Sequence, residues 1–165
     1  MVVSTWIMPG VPSLVIERAE AIESAIAAVL NGEAEDDPFN RLIALNGFAS
    51  READWLRAWF RYLRQTGLTF AIATVVDALQ NAPRVTRGLV DLFVARHDPD
   101  FPGDRAVAEA RAAKAIDEGL LAVGAINDDR LLRRYRATIE AILRTNAFLP
   151  ESGDGGEAAL AFKLD

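Results

Sequence analysis

The chain has 165 residues, 51% of them hydrophobic and 25% charged, with a formal net charge of −6. That is enough for one domain with a buried core, and the acidic balance argues against nucleic-acid and anionic-membrane partners. The absence of cysteine removes disulfides and thiolate metal sites and fits a reducing cytoplasm, while the start, MVVSTWIMPGVPS, lacks a secretory n-region and nothing reaches the roughly 20-residue apolar run of a membrane span.

Residues 1–12 read as irregular, punctuated by Pro9, Gly10 and Pro12, with Trp6 and Ile7 tucked against helices or left from a preceding strand. Ser13 is the expected N-cap of a first helix that ends near Asn31 and Gly32, with Val15, Ile22, Ile26 and Val29 inward. Asp37-Pro38 reads as an N-cap followed by a proline at the first helical position, opening a short helix closed by Asn46-Gly47.

Ser50 caps the next helix, which stops at Gly67. Its apolar face carries Trp55, Leu56, Trp59, Phe60 and Leu63, and Arg57, Arg61 and Arg64 are expected on the other side. The spacing predicts a further helix over 70–81, with Ile72, Val75, Val76 and Leu79 inward. Pro83 breaks it and opens another helix, striped by Val85, Leu89, Leu92 and Phe93.

HDPDFPGD (97–104) is a loop, and Asp104 at its end caps the next helix. Residues 105–125 are alanine-rich and helical by propensity, with Val107, Ile116, Leu120 and Val123 as the spaced apolar residues. Gly119 and Gly124 weaken this helix or permit close packing. A short turn then leads to Asp128–Asn146, the cleanest amphipathic pattern in the chain. Leu131, Leu132, Tyr135, Ile139, Ile142 and Leu143 form its stripe, with Glu140 and Arg144 expected as an ion pair on the other face. Each large side chain buried along this stripe contributes roughly 1.5–3 kcal/mol before entropy is subtracted. The two helices are expected to pack as an antiparallel hairpin. PESGDGGE (150–157) reads as a flexible loop, and LAFKLD (160–165) alternates like a strand that is expected to have no strand partner in this chain.

Candidate chemistry is sparse. His97, the only histidine, lies beside Asp98 and Asp100, which a metal or general-base reading would use; helix-capping aspartates in a polar loop are the plainer account. Asp36-Asp37 and Asp128-Asp129 sit at helix starts, where capping explains them better than acid–base work. The arginines of 57–64 and 130–144 suit solvated faces or interdomain salt bridges, and Trp55, Trp59 and Phe60 suit a core cluster rather than a ligand cage. Arg144-Thr145-Asn146 reads either as a hinge or docking element or as a simple helix C-cap by Asn146. No GxGxxG, P-loop, GxSxG or HExxH is present, so no catalytic, cofactor-binding or metal-binding residue is assigned.

Five stretches in order, GEAEDDPFNRL (32–42), DWLRAWFRYLRQTGLTF (54–70), LVDLFVARHDPDF (89–101), INDDRLLRRYRATIEAILRTNAF (126–148) and LAFKLD (160–165), carry a family resemblance. Together they resemble the large bacterial NAD-specific glutamate dehydrogenases, in the helical region immediately before the catalytic domain. The resemblance implies a piece of a longer polypeptide whose parent oxidises L-glutamate with NAD⁺ in the cytoplasm. It further implies neighbouring domains of the same polypeptide as partners, and a homo-oligomeric parent.

The expected fold is all-α: an irregular or orthogonal bundle of about seven helices over 1–148, then a loop and the truncated first strand of a following catalytic domain over 149–165. Arg144, Thr145, Asn146, Phe162 and Leu164 are the candidate interdomain hinge or docking residues. NAD is expected in the parent enzyme and not on this segment. A free-standing helical interaction module is the alternative.

Overall fold

A computed structural model describes residues 19–31, 35–149 and 160–165. The expected roles of Trp6, Ile7, Ser13, Val15, Gly32 and the 150–157 loop fall outside the described residues. The architecture is all-α with a short two-stranded sheet. Among the described residues the helices are α1 (Ala19–Leu30), α2 (Asn40–Asn46), α3 (Ser50–Gln65), α4 (Ile72–Asn81), α5 (Pro83–His97), α6 (Arg105–Leu120) and α7 (Ile126–Ala141), followed by β1 (Ile142–Thr145) and β2 (Phe162–Leu164). None of the described helices is long and apolar enough to cross a membrane.

Local chemistry sets most boundaries. Asp37 Oδ1 accepts from the Phe39 amide at 2.9 Å, and α2 stops at Gly47, whose φ of 72° only glycine adopts freely. Ala49, rather than Ser50, occupies the N-cap of α3; its amide donates to Glu52 Oε2 at 2.8 Å. Gly67, at φ 97°, lets the Leu68 amide reach back to the Leu63 carbonyl and close α3. Pro83 opens α5, and Asp104 caps α6 by accepting from the Val107 amide at 3.2 Å.

The core is built on α7. Leu131, Leu132, Tyr135 and Ile139 are buried against α3, α4 and α5. Tyr135 is fully buried, and its hydroxyl donates to the Leu56 carbonyl of α3 at 3.2 Å; burial pushes the phenol well above its ordinary pKa. Phe93 sits between Trp55 and Trp59, its ring centroid 5.0 Å from each, so the tryptophans form a core cluster.

Several expectations are corrected. Arg57 is 4% exposed, not on a solvent face. It donates to Asp37 at 2.6 and 2.9 Å and to Asn40 at 3.1 Å, and also pairs with Asp54. Burial opposes its charge, but the hydrogen bond and charge of Asp37, reinforced by Asp54, hold its pKa above the ordinary value. Ile26 and Val107, expected inward, are 53% and 65% exposed.

The antiparallel hairpin is formed by α5 and α6, not by α6 and α7. The reason is steric. A Cβ on Gly88 would lie 2.8 Å from Ile116 Cγ1, and one on Gly119 would lie 2.6 Å from Val85 Cγ2. Each helix offers a glycine to the other's β-branched side chain, so their axes approach closely. Arg105 ties the loop between them by donating to the carbonyls of Ala95, Asp98 and Pro99.

The final helix is also shorter than its pattern implied. It ends at Ala141, and Ile142–Thr145 leaves it as a strand. Glu140 therefore pairs with Arg136, at 2.8 Å, rather than with Arg144.

Overpacking costs about 1–3 kcal/mol, offset here by roughly 1 kcal/mol of helix propensity gained over glycine. Gly119→Ala is therefore expected to lower unfolding stability by about 1 kcal/mol in a urea titration. The cycle with Val85→Ala should show favourable coupling between the two changes, and strict additivity would remove the tight crossing as a constraint.

Candidate docking site

The chain leaves α7 in an extended conformation at Ile142, whose buried side chain anchors β1 to the core. β2 pairs with β1 antiparallel, matching Ile142 with Leu164, Arg144 with Lys163 and Thr145 with Phe162. The alternating 160–165 segment thus has its strand partner within the chain, against expectation. That partner was hidden because residues 142–145 continue the helical spacing of α7.

A register irregularity falls between Ile142 and Arg144, leaving Leu143 as the extra residue. Leu143 and Arg144 are both exposed in succession, as is Lys163. The inner face is apolar. Phe162 meets Tyr62 of α3 edge-on at 5.6 Å, and Leu164 lies in a groove with Leu63 of α3, Thr66 at its C-terminal end, and Ala137, Thr138 and Ala141 of α7.

Thr145 and Asn146 fasten the start of β2. Thr145 Oγ1 donates to the Ala161 carbonyl at 2.9 Å, and the Asn146 amide donates to the same oxygen at 3.2 Å. Asn146 Oδ1 accepts from the Ala161 amide at 2.7 Å, imitating a backbone pairing. At the other end the Asp165 amide donates to the Ala141 carbonyl at 3.0 Å. Asn146 is therefore a strand clamp and not a helix C-cap.

Arg144, Thr145, Asn146, Phe162 and Leu164, chosen from the sequence, all meet in this one sheet. Tyr62, Leu143, Ala161 and Lys163 belong with them and were missed. The alternation of 160–165 marked which β2 residues face inward, but only the register identifies the partner of each.

Most of the remaining polar side chains are paired within the chain, although His97 Nε2 is buried without a hydrogen-bond partner. Asp98 Oδ1 accepts from the Asp100 amide at 2.9 Å. The His97 ring is tilted against Phe93, 5.1 Å between centroids, and burial, then the charge of Arg96, lowers its pKa below 6.5. Asp129 accepts from Arg133 at 2.8 Å, and that hydrogen bond holds its carboxyl below the usual range. Arg61 pairs with Glu35, and Arg136 with Asp117 and Glu140. Among the described residues no group of three or more His, Cys, Asp or Glu side chains could hold a metal ion.

Residues 34–99 match the family model described as glutamate dehydrogenase, helical motif 3. The NAD-specific glutamate dehydrogenase of Halomonas elongata is 40% identical over 144 residues, covering 86% of this chain and 9% of that protein. The enzyme of the same name from Pseudomonas aeruginosa is 33% identical over 153 residues, 88% of this chain and 9% of the relative. That from Mycobacterium tuberculosis is 32% identical over 162 residues, 96% of this chain and 10% of the relative. The chain thus spans about a tenth of the length of these curated relatives.

Two outcomes are expected from this geometry. Asn146→Ala should speed amide hydrogen exchange in residues 161–164 while costing about 1 kcal/mol globally, the worth of one hydrogen bond; unchanged exchange would show that the clamp does not hold β2. Because the folded His97 pKa is lowered, unfolded chains bind more protons below pH 6.5, so its contribution is present above 6.5 and lost as pH falls through the folded pKa. Thermal melts should show that decline in the parent chain and a flatter profile in His97→Gln.

Proposed function

We propose that this chain, a helical segment of the NAD-specific glutamate dehydrogenase family, is a scaffold that positions neighbouring parts of a larger polypeptide and performs no chemistry itself. The observation that carries the reading is the match over 86% of this chain to only 9% of the Halomonas elongata enzyme. The larger polypeptide would convert L-glutamate, water and NAD⁺ to 2-oxoglutarate, ammonium and NADH in the cytoplasm, as a homo-oligomer. NAD would bind outside this segment, whose sequence lacks a dinucleotide fingerprint.

In this reading residues 1–148 form the helical unit, and 149–165 begin the transition to the catalytic unit. The sheet of Arg144, Thr145, Asn146, Phe162 and Leu164 is the docking element. Its inner face is held by α3 and α7, which joins β2 to the core. Leu121 and Ile126 flank the α6–α7 turn and are 88% and 71% exposed, which adds apolar surface suited to a neighbouring unit.

The test is a graft. This chain replaces the matching segment of the Halomonas elongata enzyme, and glutamate-dependent NADH formation is followed by absorbance. The graft is expected to retain activity within about tenfold, or about 1.4 kcal/mol of transition-state free energy. An otherwise identical enzyme lacking the segment should be inactive, and this chain alone should show no turnover. Full activity without the segment, or turnover by the chain alone that persists through purification, would overturn the scaffold reading.

A further inference from the structure

The sheet carries a charge arrangement that its own packing does not explain. Arg144 and Lys163 are directly opposite one another across β1 and β2, and both are exposed. Like charges in that position repel and weaken a strand pair. A two-stranded sheet has little stability to spare. Neither cation has a carboxylate partner among the described residues, although the chain as a whole carries a net charge of −6.

The same face is partly apolar. The irregularity at Leu143 exposes that side chain by 50% and brings Arg144 out beside it. β2 has no strand on its other edge among the described residues. With alternating backbone groups, a strand edge of this kind offers N–H and C=O partners to an added strand. Side-chain alternation would place every second residue of such a strand on the Arg144–Lys163 face.

We propose that the open edge of β2 accepts an extended acidic segment whose alternate carboxylates neutralise the cross-strand pair Arg144–Lys163. The proposal rests on the docking role given above to the sheet, and supplies the partner's chemistry. Backbone pairing along β2 gives the segment its direction. The two cations select carboxylates over ammonium groups, and Leu143 covers the apolar flank.

The test uses the full chain, isotopically labelled, with two short blocked peptides: one alternating valine with glutamate, and its lysine twin. Amide shifts are followed by NMR. The glutamate peptide is expected to move amides of residues 142–145 and 161–165, with an effect that shrinks as salt is raised. The lysine peptide is expected to leave them unmoved. The double variant Arg144→Glu, Lys163→Glu should weaken the glutamate peptide by at least about tenfold and bind the lysine peptide instead. Both changed side chains are solvent-exposed, and the helical spectrum should be retained.

Equal binding of both peptides would overturn the acidic preference while leaving strand docking in place. Binding of neither would overturn the added strand altogether. Sodium sulfate moving the same amides as strongly as the peptide would make the pair a small-anion site and also overturn it. An active graft alongside a peptide that fails to bind would remove this inference and leave the scaffold reading standing.

Discussion

The stripe Leu131, Leu132, Tyr135 and Ile139 is the surface on which the other helices are assembled. α7 meets α3, α4 and α5, so removing it would expose the inner faces of all three at once. Apolar burial supplies the driving force, roughly 1.5–3 kcal/mol for each large side chain. Burial alone does not fix an orientation. Tyr135 does, because its fully buried hydroxyl must find an acceptor, and it reaches the Leu56 carbonyl 79 residues away in sequence. Slippage of α7 against α3 by one turn would leave that hydroxyl unsatisfied. On the far side of α3, buried Arg57 does a similar job through Asp37 and Asn40, fixing the approach to α2.

A second constraint is steric. The α5–α6 hairpin depends on two absent side chains, at Gly88 and Gly119. Each glycine accepts a β-branched residue of the other helix, Ile116 or Val85, and the stiffness of those side chains makes the fit selective. Arg105 then fastens the connecting loop to the end of α5. The helix pair is therefore defined at both ends, and its outer surface needs no further partner to stay in place.

The sheet is built differently. Its inner side chains are anchored by the core, while Arg144 and Lys163 lie opposite one another on its outer side beside the exposed Leu143. In the proposed docking role, a packed base would lie beneath an exposed, charged outer face. The base keeps the edge ordered before contact, which reduces the entropy lost on binding. Leu164 and Phe162 are the side chains through which β2 contacts α3 and α7.

Much of this was legible in the residues. Periodicity located the helices, proline and glycine marked their ends at Pro83, Gly47 and Gly67, and Asp104 announced its own cap. Those signals are local: each depends on backbone geometry within a turn or two. That Arg144, Thr145, Asn146, Phe162 and Leu164 lie where the pattern changes was also readable, because the change after Asn146 is itself local, and the structure brings them together at one sheet. The buried state of Arg57 was not, since charge pattern alone cannot anticipate a carboxylate placed 20 residues earlier. Nor was the end of α7. Ile142 and Leu143 fit helical spacing as well as strand alternation, and pairing with residues 162–164 decided between them. The sequence by itself determined where α2 to α6 and most of α7 lie, the apolar faces of α3, α4 and α5, and where the chain turns, because those depend on short-range sterics and hydrogen bonding. Only the tertiary structure decided that α6 pairs with α5 and that the last residues return to β1, because both depend on contacts between side chains and strands distant in sequence.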